Sequence, residues 1–268
     1  MPDILQIGPI AMASDRAIAI GLLWAFLALG TLGATRLDRR APRATWIALL
    51  AGILAARIGF VTANAAAYSA EPWSVIALWQ GGFSPWAGVA AAALALAVML
   101  GRSRAGALMI GAVAALALVH LAATQFLAPE PRPLPQGIVL TNLNGAPMPL
   151  ETLQGTPLVV NLWATWCPPC RREIPMIVEV ARTSSVPILL VNQGEPASTI
   201  RSYLSREGLR TGAVRLDPTS ALGKAIGSAA LPTTLFIDAD GKIRRVHVGE
   251  ISRAALTAGI GELKSSER

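Results

Sequence analysis

Leu158-Val159-Val160-Asn161-Leu162-Trp163-Ala164-Thr165-Trp166-Cys167-Pro168-Pro169-Cys170 is the stretch on which the fold turns. Its first seven residues form an apolar run of strand length, and Arg171 to Arg182 carries a helical pattern with Pro175 inside it, where a kink is expected. Between them stand the only two cysteines of the 268 residues, separated by Pro168 and Pro169. A strand that feeds Cys-x-x-Cys into the mouth of a helix has a redox logic. The first amides of a helix lack partners and the dipole is positive there, so a thiolate is favoured. The thiolate is the attacking species in disulfide exchange.

Two bland readings of the pair are weak. A structural disulfide over so short a loop removes little chain entropy. A metal centre needs further ligands, and the only histidines, His120 and His247, fall in an apolar run and in a late strand. A two-thiolate site for a soft ion such as Cu(I) stays open.

Downstream of Gly137 the pattern alternates. Strands are predicted at Ile138–Thr141 (at an edge), Leu158–Ala164, Val186–Val191, Thr233–Asp238 and Lys242–Val248. Helices are predicted at Cys167–Arg182, Ala197–Glu207, Ser220–Ile226 and Ser252–Leu263, and a turn at Asp238–Gly241. Such units make an α/β domain around a central mixed sheet.

Upstream the material is different. The mean hydropathy of +0.51 averages an ordinary soluble half with residues 1–128, which are rich in Ala, Leu, Ile, Val, Gly and Trp. A bilayer span needs about 20 apolar residues. Four runs approach this: 17–35, 44–63, 86–101 and 105–128. They predict an all-α four-helix transmembrane domain. The residues before the first carry Asp3 and Asp15 with only Arg16, which does not suit a cleaved signal peptide.

The net charge of +7 does not point to nucleic acid, because the arginines gather beside the apolar runs. Arg36, Arg39, Arg40 and Arg43 lie between the first two runs, and Arg102 and Arg104 between the last two. Both loops therefore belong in the cytoplasm, which puts the N-terminus and everything past the fourth run outside. Disulfide chemistry is at home on that side of the membrane. Residues 129–136, with proline at 129, 131, 133 and 135, read as a short stiff linker ahead of an extracytoplasmic domain at 137–268.

The segment Asn161–Pro175, the later Leu231-Pro232-Thr233-Thr234 and the turn Asp238–Gly241 together resemble TlpA-like and DsbE-like thioredoxin-fold proteins. The resemblance covers about residues 137–264. It implies a membrane-tethered extracytoplasmic oxidoreductase acting on protein thiols and disulfides, with no cofactor beyond a Cys167–Cys170 disulfide. By the same likeness Cys167 is the nucleophile and Cys170 the resolving thiol. Trp166, Pro168 and Pro169 shape the site, and Pro232 is the cis-proline beside it. Asn161 holds the place of the buried aspartate of thioredoxin and cannot serve as a base. Glu173 and Glu195 are the candidate acids to assist, although a solvated surface carboxylate is the default for each. A reductase is the expected direction, with an oxidase or isomerase, or a non-enzymatic thiol-based metal carrier or assembly factor, as alternatives.

Residues 1–128 hold no cysteine, so electrons would come from another membrane protein of DsbD or CcdA type. Ala56–Val61, Trp79–Ser84 and Gly88 resemble part of prolipoprotein diacylglyceryl transferase. Trp86 stands where that family has a functional histidine, which implies a shortened relative without the transferase chemistry. Arg57, inside the second run, costs about 2.5–3.5 kcal/mol to insert and is a candidate site for lipid headgroups or a partner, unless it snorkels or pairs internally. Trp73, Trp79 and Trp86 suit the outer interface with the membrane lipids.

Overall fold

A computed structural model of the chain describes residues 4–7, 10–126, 130–209, 212–228 and 230–265. It divides into two compact units, one built on 14–128 and one on 129–268 together with 2–13. Near the N-terminus β1 (Ile4–Ile7) and β2 (Ile10–Ala13) form an antiparallel hairpin, a feature with no sequence expectation.

The first unit is helical: α1 (Ser14–Ala28), α2 (Ala41–Ala63), the short α3 (Ala65–Ala70), α4 (Pro85–Leu100) and α5 (Arg104–Phe126). Among the described residues three helical stretches are long and apolar enough to cross a membrane: Arg16–Arg36, Ala41–Ala63 and Arg104–Phe126. The first continues α1 through a π-helical turn at Leu29–Gly33 and a 3-10 turn at Ala34–Arg36. Helix α4 is apolar but only 16 residues long. It packs against α2 through small residues, as helices do where side chains give no hydrophobic advantage. A Cβ on Gly88 would meet the Gly52 carbonyl oxygen at 3.0 Å and the Ala56 Cβ at 3.1 Å.

The second unit is a thioredoxin-like α/β domain. Its strands are β3 (Arg132–Pro133), β4 (Val139–Thr141), β5 (Pro147–Pro149), β6 (Leu158–Trp163), β7 (Ile188–Gln193), β8 (Val214–Asp217), β9 (Thr233–Ile237) and β10 (Lys242–Val248). They form one eight-stranded mixed sheet in the order β3-β10-β9-β6-β7-β8-β4-β5. Strand β6 runs parallel to β7 and antiparallel to β9, so the strand that delivers the cysteines is central. Four helices flank the sheet: α6 (Pro168–Thr183), α7 (Ala197–Arg206), α8 (Ala221–Ala225) and α9 (Arg253–Ser265).

Every residue of β6 is buried, and period-two alternation divides them. Val159 and Trp163 join Ile174, Ile177, Phe236, Leu256 and Ile260 in the core on one face. Leu158, Val160 and Leu162 join Leu189, Leu222, Ile226 and Leu235 on the other. Asn161 shares the parity of Val159 and Trp163, which places its amide under α6.

Two expectations change. The strand near 138–141 is not an edge, because β5 pairs along it at Val139, Leu140 and Thr141. The stiff linker over 129–136 is not free along its length: Pro129 lies outside the described residues, but Arg132 and Pro133 pair with Ile243 and Lys242 of β10, and the Leu134 amide donates to the Gly241 carbonyl at 2.9 Å. Leu134 is buried there. Helix α6 stays continuous through Pro175, which removes one amide donor without ending it.

Candidate active site

Cys167 is the N-cap of α6, with Pro168 and Pro169 at its first two positions. Proline suits these positions, since the amides it lacks would have no helical partner. The first amide the helix can offer is therefore that of Cys170, and it donates to Cys167 Sγ at 3.3 Å. The cysteines form a disulfide with Cα atoms 5.3 Å apart. Cys167 is 3% exposed and Cys170 wholly buried. Trp166, the residue before Cys167, is by contrast 68% exposed. The Leu231–Pro232 bond is cis, and Leu231 packs against the core cluster that contains both cysteines.

Glu173 lies three residues after Cys170, on the same face of α6. It is 2% exposed, which overturns the expectation of a solvated carboxylate. Asn161 Nδ2 donates to its Oε1 at 2.7 Å and the Ile251 amide to its Oε2 at 2.8 Å. Burial pushes its pKa up to about 8, against the pull of those two hydrogen bonds. The charge of Glu250 pushes the same way and that of Arg172 the opposite way. A buried carboxyl that titrates near neutrality is equipped to take a proton from a neighbouring thiol and return it.

The two hydrogen-bond partners of Glu173 come from distant places in the chain. Asn161 is on β6 and also donates to Thr234 Oγ1 of β9 at 3.1 Å, while its own Oδ1 is buried without a partner. Ile251 lies in the β10–α9 connection, beside Glu250, which Arg172 grips at 2.5 and 2.9 Å. Thr234 belongs to the stretch already singled out in sequence. Glu250 and Ile251 carry no local signal and are found only through the fold. Glu195 is half-buried, and its carboxylate accepts from Thr165 and Asn192.

In the helical unit Arg57 is 4% exposed. Its five N–H donors all meet backbone carbonyls: Nε that of Val75, Nη1 those of Gly81 and Gly82, Nη2 those of Ser74 and Ala77. The rings of Tyr68 and Phe83 lie 5.3 and 5.8 Å from the guanidinium carbon. No donor is left for a lipid headgroup. Arg57 instead pins the 74–82 loop, whose turn depends on positive φ at Gly81 and Gly82. Trp73, Trp79 and Trp86 are all exposed around this end. No metal-binding group of His, Cys, Asp and Glu occurs among the described residues.

Comparison with known proteins matches each half separately. The Redoxin family model matches residues 128–259. The thiol-disulfide oxidoreductase ResA of Geobacillus thermodenitrificans is 33% identical over 129 residues, which span 47% of this chain and 74% of that protein. This chain belongs to the ResA family of thiol–disulfide oxidoreductases. ResA of Bacillus subtilis is 29% identical over 132 residues, 48% of this chain and 73% of the relative. A DsbE homolog of Paracoccus denitrificans is 34% identical over 99 residues, 37% and 54% of the two chains. Among solved structures, a thioredoxin family protein of Chlorobium tepidum is 29% identical and covers 50% of this chain and 97% of its own, with a TM-score of 0.44. The family model of prolipoprotein diacylglyceryl transferase matches residues 2–128, well beyond the segments that carried the resemblance in sequence.

Proposed function

We propose that this chain is a membrane-anchored thiol–disulfide oxidoreductase that reduces disulfides of extracytoplasmic proteins through Cys167 and Cys170. The carrying observation is a dithiol pair that closes as a disulfide at the N-terminus of α6, above a buried carboxyl. In the reducing direction the Cys167 thiolate attacks one sulfur of a substrate disulfide. A mixed disulfide forms and the other substrate sulfur leaves as a thiolate. Glu173, in its ionised form, accepts the proton of Cys170, whose thiolate attacks Cys167 Sγ. The second substrate sulfur is released, and the Cys167–Cys170 bond forms. Two electrons pass to the substrate, and the protons of the two cysteines end on its thiols. Trp166 and Pro232 flank the attacking sulfur, and Pro168 and Pro169 leave it a single helix amide.

In this reading residues 1–128 are a four-helix membrane domain, with α4 as its shortest span, and 137–268 the extracytoplasmic domain. Arginines at 36, 39, 40, 43, 102 and 104 hold their loops in the cytoplasm, so both the N-terminus and the dithiol face outward, in a bacterium toward the periplasm. The chain has no third cysteine to refill the pair. A membrane electron donor of DsbD or CcdA type does so, and the anchor keeps the two within reach.

The deciding experiment is the reduction potential of the full chain in detergent, titrated against a glutathione or dithiothreitol couple. A value near that of thioredoxin, about −270 mV, supports a reductase. A value near that of DsbA, about −120 mV, makes it an oxidant and overturns the direction.

A further inference from the structure

We infer that Glu195 is a positioning residue for disulfide exchange: its carboxylate, acting through Thr165, fixes the turn that presents Cys167. The inference rests on the reading of Cys167 as the nucleophile. The turn Ala164–Cys167 has little to hold it from within. Its internal bond, from the Cys167 amide to the Ala164 carbonyl, is 3.3 Å long, and Pro168 and Pro169 bring no donors. What holds it comes from the neighbouring strand. The Thr165 amide donates to Glu195 Oε2 at 2.7 Å and the Thr165 hydroxyl donates to Oε1. Asn192 Nδ2 donates to the same Oε2 at 2.7 Å, and the Glu195 amide returns a bond to Asn192 Oδ1 at 3.3 Å.

Asn192 is fully buried on β7, in register with Trp163, the last residue of β6. Gly194 lets the chain double back after it: its φ is +80°, and its amide is held by the Asp217 carbonyl at 3.0 Å. The clamp is therefore anchored in the sheet at one end and two residues from the nucleophile at the other. No Lys or Arg pairs with Glu195 among the described residues, so the carboxylate serves three neutral donors.

The Thr165 amide and Asn192 Nδ2 are fixed donors on one carboxylate oxygen, and the Thr165 hydroxyl meets the other, each through a charge-assisted bond. Glutamine has almost the same shape, but its single neutral oxygen must serve the two fixed donors while its NH2 can only donate to the Thr165 hydroxyl. Glu195→Gln thus loosens the clamp with little change in packing. Loss of a negative charge near the turn would by itself favour the Cys167 thiolate and quicken its attack. Positioning predicts the reverse, because a displaced sulfur misses in-line approach and small displacements cost up to about a hundredfold.

The test uses the full chain in detergent with Cys170 replaced by Ser, so that the mixed disulfide is not resolved, reduced and then mixed with oxidised glutathione, with the rate of mixed-disulfide formation at Cys167 followed by mass spectrometry across the range of thiol titration. Glu195→Gln is expected to slow attack about tenfold or more at every pH, beyond what a shifted thiol midpoint explains. Thr165→Val, which loses only the hydroxyl, should slow it less, while Thr165→Ser keeps both donors and the wild-type rate. The Glu195→Gln/Thr165→Val double variant should lose clearly less than the sum of the two single losses, since both act through one contact. Wild-type or faster rates for Glu195→Gln, or full additivity, overturn the inference. If Glu195→Gln does not fold, the Val and Ser variants at 165 decide it by the presence of one hydroxyl. Glutathione reacts whatever the natural substrate, so the two readings fail separately: Cys167→Ser reacting as fast as wild type removes the nucleophile assignment, and equal rates among the clamp variants remove only the clamp.

Discussion

Replacing Glu173 by Gln should make the oxidised protein more stable and its exchange chemistry slower. The carboxyl is buried, with a pKa of about 8 against an ordinary 4.5. Between those values the folded chain keeps a proton that the unfolded chain releases. Stability is thus full below the ordinary carboxylate range and falls as pH rises toward about 8, above which it is level. At 1.36 kcal/mol per pKa unit the loss amounts to about 3 kcal/mol at pH 7 and about 5 above pH 8. Glutamine does not titrate there. Its Oε1 can accept from the Ile251 amide, and its NH2 can donate to Asn161 Oδ1, now without a partner, once that amide turns over. The assay is hydrogen-exchange protection of peptides from β6 and α6 in the full chain, at about pH 5, 7 and 8, corrected for intrinsic rates. Glu173→Gln should match wild type at the lowest pH and exceed it by up to about 3 kcal/mol at neutrality. The same variant cannot accept the Cys170 proton, so the mixed disulfide should resolve about a hundredfold more slowly. A variant less protected at every pH, or one that resolves at the wild-type rate, would refute the assignment.

Cys170→Ser should accumulate a mixed disulfide at Cys167 that a nonreducing gel resolves, whereas Cys167→Ser should capture nothing. Asn161→Asp places a second carboxyl 2.7 Å from Glu173 Oε1, where two charges cannot coexist. It should cost about 2–3 kcal/mol above neutral pH and little below it, read from thermal unfolding against pH. Arg57→Ala strands five loop carbonyls, each worth about 1–3 kcal/mol when buried and unmade. Limited proteolysis should then cut within residues 72–84, while the reduction potential of the dithiol stays that of the wild type. Gly82→Ala should open the same loop, because the residue has φ +81° and an added Cβ would lie 2.7 Å from the Phe60 ring.

The central elements were legible because they announce themselves locally. The run ending in Trp163 is apolar on both faces, and the cysteines mark a strand-to-helix junction that physics alone makes reactive. The flanking Pro168 and Pro169 read correctly as the start of α6. What escaped was what only packing creates. Val214–Asp217 is four residues with charges at two of them, too short and too mixed to stand out as β8. Arg132 and Pro133 looked like spacer because proline runs favour extended chain, and an extended chain is also what an open sheet edge accepts. Glu173 and Glu195 looked like surface carboxylates because charge is the usual mark of exposure. Glu173 is buried and Glu195 half-buried, and both are held by Asn161, Ile251, Thr165 and Asn192, donors scattered along some ninety residues of sequence. Arg57 was visible as an anomaly, but the carbonyls that satisfy it belong to a loop whose shape no periodicity encodes.

The Gly52–Gly88 contact has a mechanical consequence for the helical half. Two helices that touch backbone to backbone have no compliant side chains between them, so they cannot slide or roll as lubricated cylinders do. One turn along, the Ser84 amide ties the start of α4 to the Ala56 carbonyl at 2.8 Å, and Arg57 holds the loop that feeds that helix. Zipper, tie and clamp act in series on the same stretch of α2. A bulky residue at either glycine would therefore be felt at the far end, prising the loop from Arg57 without touching it. Such a part behaves as a keel, stiff along its length and intolerant of insertions.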